Sequence, residues 1–132
     1  MREIMFRGKR IRPDNNTGII EWVYGLYMTV YGTPNIELED GRECDIDAET
    51  LGQYTGRCDK NCTKIFEGDI VTGLFEHGIG INAVIEFHCG SFGLLSKQHN
   101  VEHFHPFTSL CNIEYEVIGN IHDNPELLKG CE

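Results

Sequence analysis

Cys58 and Cys62 enclose three residues in "RCDKNCTK", and farther along the chain stand His88, Cys89, His99, His103 and His105. Thiolates and imidazoles are the ligands that a tetrahedral zinc ion takes, so these side chains are the first candidates for a metal centre. Their spacing argues against one. A structural zinc knuckle carries two tight ligand pairs, whereas here a single Cys pair is followed by histidines on a separate loop. The alternative is a β-turn that carries thiols, with the imidazoles on the surface. "DKN" favours the turn, because Asp59 and Asn61 suit tight turns, and Gly68 and Asp69 in "EGDIV" form a second corner, where the carboxylate can accept backbone N–H bonds.

His99, His103 and His105 in "SKQHNVEHFHPF" could each act as a general base near neutral pH. No second group completes a catalytic constellation beside them. Ser91, Ser96 and Ser109 sit in no nucleophile elbow, and "GIGINAVIEFH" has the alternation of a strand rather than a phosphate loop opening a helix. The expectation is a chain that is not an enzyme and carries no cofactor. "ELEDGRECDIDAE" offers Asp40, Glu43, Asp45, Asp47 and Glu49 to a hard cation, but lacks the EF-hand pattern. The alternating acids describe one solvent face of an extended segment, with Cys44, Ile46 and Ala48 facing inward.

The elements that must position these residues are strands. Fifteen glycines punctuate the 132 residues at short intervals, and period-two alternation recurs between them. "EWVYGLYMTVYG" puts Trp22, Tyr24, Leu26, Met28 and Val30 on one face and Val23, Gly25, Tyr27 and Thr29 on the other, both apolar enough to be largely covered. "GIGINAVIEFH" has one buried face, formed by Ile79, Ile81, Ala83, Ile85 and Phe87. "CGSFG" is expected to be a hairpin loop in which Gly90 and Gly93 supply positive φ angles, and "IEYEVIGNI" is a later strand. In "NIHDNPELLKG", Asn124 suits an N-cap, Pro125 and Glu126 the first turn, and Gly130 the close of a short C-terminal helix. One unit over residues 1–132 is the default expectation, with two β subdomains, residues 1–48 and 49–132, as the alternative, divided at the acidic stretch from Glu37 to Glu49.

A hydrophobic content of 40% in 132 residues suffices for one core, or for two small β lobes. The formal charge of −10 repels a phosphate backbone and disfavours general nucleic-acid binding. Charge is unevenly spread, because Arg2, Arg7, Lys9, Arg10 and Arg12 against Glu3 give the first 12 residues a net +4. A basic arm precedes an acidic body. No apolar run is long enough for a membrane span, and the beginning "MREIMFRGKRI" lacks the apolar stretch of a signal peptide, so an intracellular setting is expected. In a reducing cytosol the six cysteines, Cys111 and Cys131 among them, are more often free thiols or metal ligands than disulfides.

Four segments, "MREIMFRGKRI", "EWVYG", "LGQYTGRCDKNCTKIFEGDIV" and "EVIGNIHDNPELL", resemble in order the signature segments of the YopX family, small proteins encoded by bacteriophages and prophages. The central segment is the most specific: Gln53, Tyr54, Thr55, Gly56, Asp59, Lys60, Lys64, Ile65, Glu67, Gly68, Asp69 and Ile70 match its pattern. Cys62 stands where that pattern has Gly, which marks a turn position suited to positive φ and makes the thiol incidental. The resemblance implies a mainly β chain with an SH3-like β-barrel, an additional N-terminal β subdomain, and a phage-related setting in a bacterial host. It brings no established activity and no catalytic residue.

Three functional classes follow. The first is a non-enzymatic binding or assembly module that acts on a protein partner or on itself as a homo-oligomer. Its interface candidates are Arg7, Lys9, Arg10, Trp22, Tyr24 and Tyr54, with Tyr27 beside them. The second is a zinc-binding regulator or metalloenzyme that uses Cys58, Cys62 and the histidines. The third is a weak nucleic-acid binder that works through the basic arm.

Overall fold

A computed structural model describes residues 4–11, 21–76, 79–88, 90–98, 101–107 and 115–128; the side chains of 74–81 and 98 lie outside the description. Eleven strands account for most of these residues: β1 (Phe6–Lys9), β2 (Trp22–Val30), β3 (Thr33–Glu37), β4 (Glu43–Asp45), β5 (Gly52–Cys58), β6 (Lys64–Phe66), β7 (Asp69–Glu76), β8 (Ile79–His88), β9 (Ser91–Gln98), β10 (Val101–Pro106) and β11 (Glu116–Asn120). The chain is mainly β and its sheets are antiparallel. It divides into two compact units, Met1–Tyr54 and Thr55–Glu132, and β5 runs across the division. Among the described residues no closed barrel forms, and no helix is long and apolar enough to cross a membrane.

In the first unit the strand order is β4-β3-β2-β1, with the first residues of β5 on the free edge of β1. Val23, Ile36, Cys44 and Ile46 form the buried core, and Phe6, Leu38 and Leu51 pack against it. β2 changes partners along its length. Residues 22–25 pair with β1, and residues 26–30 pair with β3. The change falls at Gly25, where a Cβ would lie 2.0 Å from the carbonyl oxygen of Glu37. A side chain there would force the strands apart, so glycine sets the corner.

Only one face of β2 is covered, against the expectation of two. Val23 is buried, whereas Tyr24 and Leu26 on the opposite face stand 45% and 53% exposed. An apolar sequence alternates the same way whether or not a second layer covers it, so periodicity did not decide this. The acidic stretch keeps its alternation through Ile46, with Cys44 and Ile46 buried between exposed acids. It then breaks, because the Asp47 carboxylate accepts from Glu49 N and starts a 3-10 turn, Ala48–Thr50. Ala48 is therefore exposed and Thr50 is the buried member.

In the second unit the sheet order is β10-β9-β8-β7-β11. Ile65, Val71, Ala83, Ile85, Leu94, Phe107 and Tyr115 make its core, with Phe92 and Val117 against them. Ala83 and Ile85 take the buried side of β8 as its alternation requires, but Phe87, at the end of the same side, is 53% exposed. Gly90 turns β8 into β9 with φ +83°, as expected. Gly93 does otherwise. It lies inside β9, where a Cβ would come within 2.5 Å of the His105 carbonyl oxygen, so close approach of β10 requires it and not a turn. The C-terminal element is one 3-10 turn, Pro125–Leu128, rather than an α-helix. Asn124 serves its start by accepting at its side chain from Asn120 N and at its carbonyl from Leu127 N. Four residues give too few i→i−4 bonds to sustain an α-helix. Gly130 lies outside the described residues.

Gly25→Ala is expected to destabilise the protein by about 1–3 kcal/mol through overpacking at the β2 corner. Chemical denaturation checks this, and an unchanged midpoint would refute the corner's steric origin.

Candidate functional site

The Cys58–Cys62 segment folds as a turn organised by Asp59. β5 enters it and β6 leaves it, and Asp59 N donates to Thr63 O at 2.9 Å while Cys62 N donates to Asp59 O at 3.0 Å. The Asp59 carboxylate then accepts three backbone N–H groups, from Asn61 and Thr63 on Oδ1 and from Val117 on Oδ2, each at 2.9 Å. Lys60 N adds a bond to Tyr115 O at 3.1 Å. One buried side chain thus closes its own turn and joins it to the start of β11, 58 residues away. Partial burial pushes the Asp59 carboxyl upward, and the Val117, Thr63 and Asn61 N–H groups outweigh that, so it titrates below the ordinary carboxylate range.

Cys62 has φ +66°, the left-handed conformation that L side chains adopt at a cost. The position is a turn site, as the matching glycine in the family pattern implies. Both thiols are exposed. The second corner behaves likewise: Asp69 is buried and its Oδ2 accepts from Phe66 N at 2.8 Å, while Gly68 has φ +92°. Beside the first turn, Arg57 lies over Phe107 at 5.0 Å and Phe107 stacks on Tyr115, their rings 8° from parallel.

Among the described residues the histidines do not gather around the thiols. His88 pairs with Ser91, on the side of the sheet that also carries Val84 and Leu95, and its ring lies 4.7 Å from Phe104. His103 and His105 pair with Ser96 and Leu94, which places them on the other side of the sheet. His99, Cys89, Cys111, Cys131 and Ser109 lie outside the described residues. Among the described residues no group of three His, Cys, Asp or Glu side chains comes together as a metal site. In the acidic stretch, Asp40 is held by the Arg42 backbone N–H at 3.0 Å and by its guanidinium at 2.7 Å, contacts that keep its carboxyl below the ordinary range.

Four of the interface candidates come together in the first unit. Arg7 pairs with Tyr24 and Lys9 with Trp22, which puts all four on one face of β1 and β2. The Arg7 guanidinium carbon is 4.6 Å and the Lys9 Nζ 5.6 Å from the Trp22 ring centre, so two cations attend one indole. Leu26, next on the same face, pairs with Glu37, and Glu37 pairs with Glu43. Cations therefore flank the aromatics on one side, and carboxylates flank Leu26 on the other. Arg7 is buried, as is Tyr54; Tyr24 and Leu26 are the accessible members. Arg10 alternates away from this face and pairs with Glu21 at 3.2 Å. Tyr27 is on the core face, its ring 6.0 Å from that of Phe6. Leu26 was passed over in the sequence because a leucine in an apolar strand looks like core.

Asp59→Asn is expected to cost about 1–3 kcal/mol, because an amide NH₂ would face a buried N–H donor. With a depressed folded pKa, the Asp59 contribution is complete above the unfolded value near 3.9 and is lost as pH falls through the folded value. Unfolding midpoints across acidic pH should thus show a smaller loss in Asp59→Asn than in the wild type. Cys62→Gly should instead raise stability by about 1 kcal/mol by relieving the left-handed backbone strain. A destabilised Cys62→Gly protein would show that the thiol itself has a structural role.

Comparison with known proteins bears on the same segments. No curated protein matches the chain. A solved structure, protein EF1440 from Enterococcus faecalis, is similar at 24% identity over 98% of this chain and 100% of its own, with a TM-score of 0.49. The profile of the family described as YopX protein matches residues 9–129. That match covers nearly the whole chain, including the Asp59 turn, the Asp69 corner and most of the cation and aromatic face, and the chain belongs to the YopX family.

Proposed function

We propose that this YopX protein is a non-enzymatic binding and assembly module that works through protein contacts, with the outer face of β1 and β2 as its contact surface. One observation carries the reading: Tyr24 and Leu26, both exposed, lie between cations at Arg7 and Lys9 and carboxylates at Glu37 and Glu43. Trp, Tyr and Arg dominate interface energetics, and an apolar centre with a polar rim is how contact patches are built. The opposed charges suit a second copy of the same chain, in which the carboxylate side of one face meets the cation side of the other. A homo-oligomer is therefore the assembly proposed. A phage or prophage origin and a cytoplasmic location in a bacterial host belong to the same reading, on the strength of the family resemblance. So does an SH3-like character for the C-terminal β subdomain, expected at residues 49–132. The register shifts in β7 between Val71 and Leu74 and in β11 between Val117 and Gly119 support it, since bulges of this kind bend strands toward a barrel.

Native mass spectrometry and sedimentation of the full chain test the proposal. The wild type should self-associate, Leu26→Asp should be monomeric with an unchanged circular dichroism spectrum, and raised salt should weaken the wild-type association. A wild type that stays monomeric at all attainable concentrations would overturn the self-association.

A further inference from the structure

The second unit holds a cavity of about 230 Å³, which the contact face of the first unit does not use. Val84 and Leu95 pair directly across β8 and β9 and form its apolar floor. Asn82 stands beside Val84 on the same side of β8, and its Nδ2 donates to Leu127 O at 2.8 Å. That bond holds the C-terminal 3-10 turn against the sheet, and Leu128 supplies an apolar wall. Ser96, Lys97 and Glu102 complete the lining.

These last two residues are directly opposed across β9 and β10, where Cβ atoms stand about 4.5–5.5 Å apart. Among the described residues no ion pair joins them, although their register brings them to the same side of the sheet. A cation and a carboxylate side by side at the mouth of an apolar hollow are complementary to a molecule that carries both charges at one end and an apolar group at the other. The volume is below the roughly 300–1,000 Å³ of sites for drug-sized ligands, so the occupant is small.

We infer that this cavity binds a free α-amino acid with an apolar side chain. The ligand carboxylate meets Lys97, its ammonium meets Glu102, and its side chain covers Val84, Leu95 and Leu128. The ligand supplies each charged side chain with a partner of opposite sign, and the side chain removes apolar surface from water. The site involves neither β1 nor β2, so it stands or falls separately from the contact face.

Isothermal titration calorimetry of the full chain with L-leucine, L-methionine and L-phenylalanine tests it. Saturable one-to-one binding of at least one of the three is expected. N-acetyl-leucine, which lacks the ammonium, and leucinamide, which lacks the carboxylate, should each bind at least tenfold more weakly than leucine. Lys97→Met and Glu102→Gln alter exposed side chains, and each should weaken the binding amino acid at least tenfold, with the circular dichroism spectrum of the wild type. Leu95→Trp, which fills the hollow, should abolish binding. Absence of saturable heat with all three amino acids would overturn the assignment, as would binding that both charge variants leave unchanged.

Discussion

The carboxylate of Asp59 is the interaction on which the second unit depends. Three backbone N–H groups end on it, two inside its own turn and one at Val117, where β11 begins. Each of those donors would otherwise be left without a partner where water has limited access, at a cost comparable with that of a lost hydrogen bond. The bond to Val117 fixes β11 relative to the β5–β6 turn, and β11 in turn pairs with β7 along the edge of the core. Asp69 repeats the device at the next corner, where its buried carboxylate holds Phe66 N. Two acids thus do in a β protein what caps do for helices: they close backbone groups that the ladders leave open.

That economy explains why a pair of thiols stands where a ligand pair was conceivable. Cys58 ends a strand and Cys62 occupies a left-handed turn position, so the turn sets their spacing. The histidines are separated for an equally simple reason. His88 and His103 belong to strands two apart in one sheet, and their registers send them to opposite sides. Nearness in sequence placed His103 and His105 together, while the pleat set both away from His88.

The first unit obeys a different constraint, the corner at Gly25. Because β2 serves β1 with one half and β3 with the other, its outer face carries cations from β1 and carboxylates from β3 and β4 around a single exposed leucine and tyrosine. The basic arm and acidic stretch, far apart in the chain's charge pattern, become neighbours across one strand. Separately, the pairing of β8, β9 and β10 leaves a hollow with opposed charges at its mouth.

The sequence by itself determined the strand content, most strand positions, the two acid-centred corners and the turn nature of Cys62, because these rest on local chemistry: alternation, turn preference, and the steric demand of positive φ. The family was also legible, since its pattern is carried by the same local signals. Tertiary structure decided the rest. Whether an apolar strand face is core or surface depends on what lies against it, so Tyr24 and Leu26 could be placed only by the fold. The role of Gly93 depended on how closely β10 approaches, and the C-terminal element shortened to one 3-10 turn held against β8 by Asn82. Partners distant in the chain, such as Asp59 with Val117, and the opposition of Lys97 and Glu102 across one hairpin are set by register, and register is a property of the whole sheet rather than of any one segment.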